Sequence, residues 1–156
     1  MHIRLVAVGD RQPAWVDEAV AHYTKQFPPQ WKFHIDSIAT VKRAKNDKGD
    51  RARIAECDAI LSRIESGDFM VLLDERGKQF TSMGLADKLS QWQSAGRDLA
   101  FIIGGPDGVD ERCRARADAC WALSELTLPH GMARMLLSEQ LYRAMTIQSG
   151  HPYHRQ

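Results

Sequence analysis

Three short apolar runs constrain this chain more than any other feature: IRLVAV at residues 3 to 8, FMVLLD at 69 to 74 and LAFII at 99 to 103. Each has the length of a strand, and each is followed by a stretch whose apolar residues recur every three or four positions, the period of a helix. Apolar runs without polar alternation belong to strands covered on both faces, as in a parallel sheet flanked by helices. The repeated order of strand and helix therefore predicts an α/β fold with a mostly parallel sheet and helices on both faces.

The connecting stretches follow the same logic. From Pro13 to Phe27, the spacing of Trp15, Ala19, Val20, Tyr23 and Phe27 predicts one apolar helix face, stopped by Pro28 and Pro29. FHIDSIAT (33 to 40) alternates like a half-buried or edge strand, and a basic loop follows it. Residues 50 to 66 then predict a helix with Ile54, Cys57, Ile60, Leu61 and Ile64 inward and Gly67 just past its end. DERGKQF reads as a turn, Thr81 or Ser82 as the cap of a helix carrying Leu85, Leu89 and Trp92, and Gly96 as its stop. A helix over 110 to 119, a strand or strand-like loop over 121 to 129 and a last helix over 132 to 148 complete the pattern. That last helix has Met135, Leu136, Leu141, Tyr142 and Met145 as its apolar set.

With 156 residues, and no linker, repeat or low-complexity segment, residues 1 to 156 are expected to form one domain. No apolar run reaches membrane-spanning length and the N-terminus lacks a signal-peptide pattern, so a cytoplasmic protein without a membrane partner is expected. Cys57, Cys113 and Cys120 are odd in number and show no CxxC spacing, which argues for plain thiols rather than a disulfide framework or zinc ribbon. A net charge of +1 excludes the global attraction of a strongly basic nucleic-acid binder. One local patch stands out: VKRAKNDKGDRAR, 41 to 53, has six Lys or Arg against two Asp, and reads equally as a solvated loop or a phosphate contact.

In open α/β sheets ligands bind beyond the carboxyl ends of the strands. That rule selects Leu73 to Gly77, Gly104 to Gly108 and Leu123 to His130 as the segments to compare. GGPDG permits close backbone approach but is neither GxGxxG nor a P-loop, and a tight ligand-free turn has similar composition. Glu139 and Arg143 lie four apart, as a simple helical ion pair would. His130, His151 and His154 lack an accompanying carboxylate or Cys at metal-binding spacing, so no metal is expected. The terminal GHPYHRQ is unusually rich in chemistry for a chain end.

LVAVG, LLDERGK, FIIGGPDG, LSELTLPH, LLSEQLYRA and the terminal HPYHR occur in one order along nearly the whole chain. Together they resemble the family of ribosomal RNA large subunit methyltransferase H, a minimal member of the SPOUT class of knotted methyltransferases. The resemblance implies a five- to six-stranded sheet and a C-terminal trefoil knot, an exception to the rule that chains do not knot. It also implies a homodimer and a reaction: methyl transfer from S-adenosylmethionine to N3 of a pseudouridine of 23S rRNA, the pseudouridine-1915 position, in the assembled 70S ribosome.

Carried over residue by residue, the resemblance implies a cofactor site of Leu73, Gly104, Leu123, Ser124, Glu125, Leu126, Thr127 and Leu128. It implies catalytic roles for His130, Glu139, Tyr153, His154 and Arg155, with the tail of one subunit completing the pocket of the other. Arg155 is expected on a phosphate or base carbonyl, Tyr153 against a flipped nucleotide, His130 or His154 in proton traffic, and Glu139 as an orienting group. Two other readings fit the same residues: a non-catalytic α/β binding module, and a methyltransferase of another RNA such as tRNA. The absence of an added RNA-binding domain argues against the tRNA reading.

Overall fold

The computed structural model describes residues 1–9, 11–46 and 48–155. Its elements are β1 (His2–Val8), α1 (Ala14–Thr24), β2 (Lys32–Ile38), α2 (Asp50–Leu61), β3 (Phe69–Lys78), α3 (Ser82–Ser94), β4 (Leu99–Ile103), α4 (Glu111–Arg116), β5 (Ala119–Trp121) and α5 (His130–Ser149), with a 3-10 turn at Pro152–His154. The sheet has five strands, all parallel, in the order β2-β1-β4-β3-β5. A sixth strand does not occur among the described residues.

Both faces of the sheet are covered, as the apolar runs require. Ile3, Leu5, Ala7, Val71, Leu99, Phe101 and Ile103 point to one side, where they pack with Phe27, Leu89, Trp92, Leu137 and Leu141 from the α1–β2 connection, α3 and α5. Val6, Val8, Met70, Leu72, Ala100 and Ile102 point to the other, against Cys57 and Ile60 of α2 and Cys113 of α4. This is the period of two in a strand, written on two cores at once. The Cys57 and Cys113 sulfurs are in contact at 2.8 Å, where the two free, buried cysteines fill space between α2 and α4, and burial pushes the Cys113 thiol well up.

Several expected boundaries and faces shift, each for a local reason. Trp15 is 57% exposed and Val16 with Val20 forms the buried stripe of α1, because the helix packs against α5, where Val16 meets Gly131. Ile54 likewise faces outward, and Glu56 is buried beside Cys57. The helix there ends at Leu61 with Ser62 as its cap, so Gly67 terminates nothing. On α5, Leu137 and Ala144 take the deepest positions, while Met135, Leu136 and Met145 are half-buried. Thr81 is the cap of α3, its Oγ1 accepting from the Gly84 N–H at 3.0 Å, and Gly96 follows the helix end at φ 68°.

DERGK is strand rather than turn. β3 continues to Lys78 through an irregularity against β5, with Leu73 and Lys78 both opposite Trp121. Gly77 permits it, since a Cβ there would lie 2.7 Å from the Cys120 backbone. β5 in turn occupies 119 to 121 and α4 stops at Arg116. The Asp118 N–H already donates to Met70 O at 2.8 Å, and its carboxylate accepts from the Met70 N–H at 2.9 Å, which fixes the ladder earlier than residue 121. Residues 122 to 129 are thereby released from the sheet to form a loop.

Gly77→Ala should lower stability by roughly 1–3 kcal/mol through overpacking. Gly67→Ala, whose Cβ would meet nothing within 4 Å, should stay within about 0.5 kcal/mol of the parent or gain slightly. Denaturant midpoints of the two variants test both values.

Candidate active site

The order β2-β1-β4-β3 sets the carboxyl ends of β1 and β4 side by side, with Ala7 opposite Ile103. The connections leaving β1 and β4 run to opposite sides of the sheet, the place where α/β sheets open a crevice. A cavity of about 1000 Å³ occupies it, at the upper end of the size of small-molecule clefts. Its walls come from Val8 and Gly9 after β1, Leu73 to Arg76 in β3, Ile103 to Val109 after β4, and the loop before α5.

Two turns shape the walls. In the glycine turn the Gly108 N–H donates to Gly105 O at 3.0 Å, with Gly108 at φ 78°, and a Cβ on Gly104 would strike Val109 Cγ1 at 2.6 Å. In the loop before α5 the Leu126 N–H donates to Ser124 Oγ at 3.0 Å, and Thr127 Oγ1 donates to Glu75 Oε2 at 3.3 Å, tying the loop to β3.

Of the expected cofactor residues, Leu73, Gly104, Leu123, Ser124, Leu126, Thr127 and Leu128 line the cavity; Glu125 does not, and is exposed. Gly9, Gln12, Thr40, Gly105 and Asp107 line it as well. Gly9 was accessible to the carboxyl-end rule, because it directly follows the first apolar run. Thr40 and Gln12 come together with the rest only through the lateral strand order, which no local pattern encodes.

The lining carries Asp74, Glu75 and Asp107 against Arg76 and Arg114, and no lysine. Burial alone would raise the Asp74 carboxyl. Hydrogen bonds from the Arg76 N–H and the Arg114 guanidinium outweigh it and hold that carboxyl below its usual range. The Arg114–Asp74 pair closes to 2.5 Å. The site is thus slightly acidic and mainly apolar.

His130, the first residue of α5, reaches the cavity rim. Its Nε2 accepts from Arg134 Nε at 2.6 Å, one turn along the helix, and the ring also bonds the Val8 backbone. Burial first, then the Arg134 charge, pushes the imidazole down to about 4, against a weaker upward pull from Val8. Arg134 is itself 5% exposed, and burial lowers its guanidinium below the usual range. His130 is therefore a neutral ring with both nitrogens engaged, pinning the start of α5 to the end of β1.

The other expected catalytic residues meet elsewhere. Tyr153 Oη donates to Glu139 Oε1 at 3.1 Å, and Arg143 donates to the same oxygen from Nε at 2.9 Å and Nη2 at 2.7 Å. The Arg143 guanidinium lies 4.9 Å from the Tyr153 ring centroid, and the Tyr142 ring packs edge-on at 4.6 Å. Burial and the Glu139 bond push the Tyr153 phenol well up, so it stays protonated. His154 Nδ1 is buried without a hydrogen-bond partner among the described residues, and Arg155 is exposed. None of Glu139, Tyr153, His154 and Arg155 lines the cavity. Glu139 lies nine positions beyond His130, roughly 14 Å along the helix axis.

A family model described as "Predicted SPOUT methyltransferase" matches residues 1–154. The chain belongs to the SPOUT methyltransferase family. Among curated relatives of this SPOUT chain, the Ribosomal RNA large subunit methyltransferase H of Thioalkalivibrio sulfidiphilus (strain HL-EbGR7) is 46% identical over 158 residues, covering all of both chains. Those of Neisseria meningitidis serogroup C (strain 053442) and Hahella chejuensis (strain KCTC 2396) are 47% and 43% identical over 156 residues, again covering all of both chains.

In this SPOUT chain no three His, Cys, Asp or Glu side chains gather to hold a metal ion among the described residues. Nor is any helix of the described residues long and apolar enough to cross a membrane. The neutral His130 gives a pH signature. Between about pH 6.5 and about pH 4 the unfolded ring binds a proton that the folded ring does not, so stability falls as pH falls through that window. Unfolding midpoints measured at several pH values across that window should show the decline, and His130→Gln should remove this part of the slope.

Proposed function

We propose that this chain is an S-adenosylmethionine-dependent methyltransferase of large-subunit ribosomal RNA. The observation that carries the reading is the cavity at the β1/β4 switch point, lined by Leu73, Gly104 and the 123–128 loop. It lies within a SPOUT chain that is alike over its whole length to relatives named for large-subunit ribosomal RNA methylation. In its finer form the proposal names N3 of the pseudouridine-1915 position of 23S rRNA as acceptor, in the assembled 70S ribosome.

The donor set fits this cofactor. The cavity has apolar walls in Leu73, Ile103, Leu123 and Leu128, hydroxyls in Ser124 and Thr127, and backbone approachable at Gly104, where an added Cβ would collide with Val109. A lysine-free, slightly acidic lining suits a ligand that carries a sulfonium cation. When bound, S-adenosylmethionine supplies an electrophilic methyl group. The chain's own task is placement: Leu73, Gly104 and the 123–128 loop hold the cofactor, and the rim excludes water so that acceptor and methyl align.

The acceptor side comes from the tail in our reading, delivered in trans. Tyr153, His154 and Arg155 are folded back on the second half of α5, away from their own cavity, which favours a homodimer whose subunits exchange tails across the two sites. Exposed Trp15 and Met132 support such an interface: they flank Val16 and Gly131, where a Cβ on Gly131 would lie 3.0 Å from Val16. Arg155 then meets a phosphate or base carbonyl, and Tyr153 packs on the extruded nucleotide. Proton traffic falls to His154, whose Nδ1 has no described partner, because both nitrogens of His130 are engaged. Glu139 orients Tyr153. We also infer that residues from β4 onward thread the trefoil knot of the SPOUT class, with α5 returning over α1 and α3.

Ribosomes lacking the modification, given labelled S-adenosylmethionine, should accept methyl groups at N3 of that pseudouridine, on 70S particles rather than free 50S subunits. Label at another nucleotide, or cofactor binding with no label on either particle, would overturn the assignment. Tyr153→Ala and Arg155→Ala should each lower turnover at least ~100-fold, a few kcal/mol of transition-state stabilisation, while cofactor Kd stays within about twofold. Equal losses in both quantities would reject the division of roles.

A further inference from the structure

The basic segment VKRAKNDKGDRAR is a charged feature that the cavity chemistry leaves unexplained. Its arginines and lysines separate into two groups. Arg43 turns inward: Nη2 and Nη1 donate to Glu56 Oε1 and Oε2 at 3.1 Å each, and Nε donates to Asp107 Oδ2 at 2.6 Å. Glu56 is 2% exposed and also accepts from the Val41 N–H at 3.1 Å. Asp107 stands in the glycine turn and lines the cavity, as does Thr40 immediately before the segment. Arg53 pairs with Asp50 on α2. Lys42, Lys45, Lys48 and Arg51 are exposed and make no ion pair among the described residues.

Among the described residues the acids beside the patch are thus already engaged: Glu56 and Asp107 with Arg43, Asp50 with Arg53. What remains is a row of cations tethered to the cavity rim by a bidentate arginine–carboxylate pair, a geometry with little play. The segment contains no aromatic residue, so it offers nothing on which a base can stack. Lysine ammoniums act on phosphates as point charges. Free cations beside the mouth of a site, on a chain of net charge +1, suit a backbone contact that positions a nucleic acid without reading its sequence.

We propose that the exposed Lys42, Lys45 and Lys48 form a strap that grips phosphates of the RNA substrate at the mouth of the cavity, fastened to the glycine turn by Arg43. This rests on the proposed action on ribosomal RNA and says how a nearly neutral chain holds it. Arg43 is a positioning residue, unavailable to RNA itself; Lys42, Lys45 and Lys48 make the contacts.

The test is binding of the full-length protein to ribosomes lacking the methyl group, measured against salt concentration, for the parent and for Lys42→Gln/Lys45→Gln/Lys48→Gln. Each lost phosphate contact lowers the slope of log K against log salt by about 0.7–0.9. Loss of two or three contacts should lower that slope by about 2 and weaken binding at least ~10-fold at 0.1 M salt. Cofactor Kd and the unfolding midpoint should not move, since these lysines hold no described contact. A Lys25→Gln/Lys32→Gln control removes charge at the opposite, amino-terminal end of the strands and should leave the slope nearly unchanged. A parent chain that methylates ribosomes beside a triple variant of unchanged slope would overturn the strap alone. Equal loss per charge in the control would overturn it too, by reducing the effect to net charge. A parent that neither binds nor methylates ribosomes would overturn the functional reading and the strap with it.

Discussion

All five strands run in one direction, and most of this structure depends on that. Parallel strands cannot be joined by hairpins, so every connection must cross a face of the sheet, and helices bury both faces. The apolar runs of β1, β3 and β4 satisfy two cores at once, α1, α3 and α5 on one side and α2 and α4 on the other. The same parallel arrangement delivers every carboxyl end to one edge. The end of β3 and the loops that leave β1, β4 and β5 then wall a cavity, and several polar tethers lie around it: Asp74 with Arg114, Arg43 with Glu56 and Asp107, His130 with Arg134.

Those tethers divide the molecule's chemistry between two places. Near the cavity, Asp74 and Asp107 are paired with arginines and the histidine is neutral, an arrangement that suits the proposed holding of a ligand. At the far half of α5, one carboxylate oxygen of Glu139 gathers Tyr153 and Arg143 and folds the tail into a fixed shape. A single chain keeps these two places apart. In the proposed dimer a composite site across two chains would bring a prepared tail to a prepared cavity, and a tail held rigidly before docking loses less entropy on binding.

The sequence made the apolar cores of β1, β3 and β4, the parallel sense of the sheet and the glycine turn legible, whereas β5 was expected within 121 to 129 and lies at Ala119–Trp121. LAFII leading into GGPDG is enough to identify a covered strand ending at a ligand edge. Faces were less legible. Trp15 and Ile54 fit a helical period as well as Val16 and Cys57 do, and only packing against the sheet and the neighbouring helices decides which stripe is buried. The length of β3 escaped because DERGK has turn composition, and its strand character comes from pairing with β5 across the sheet. Glu56 illustrates the same limit in the other direction: a glutamate on a helix reads as solvated until the loop that wraps it, and the arginine within that loop, are in place. The i, i+4 pair of Glu139 and Arg143 was visible, whereas the recruitment of Tyr153 to it needed the fold-back of the terminal turn.

The composite site is tested most directly by mixing two inactive variants. One carries a blocked cavity, Gly104→Val, and the other an impaired tail, Tyr153→Ala/Arg155→Ala. If the tail works in trans, each mixed dimer regains one intact cavity facing one intact tail, and a randomly re-equilibrated equal mixture recovers roughly a quarter of the parent's methyl transfer. A mixture that stays as inactive as its parts, although mixed dimers form, would contradict the account and return the tail to its own cavity.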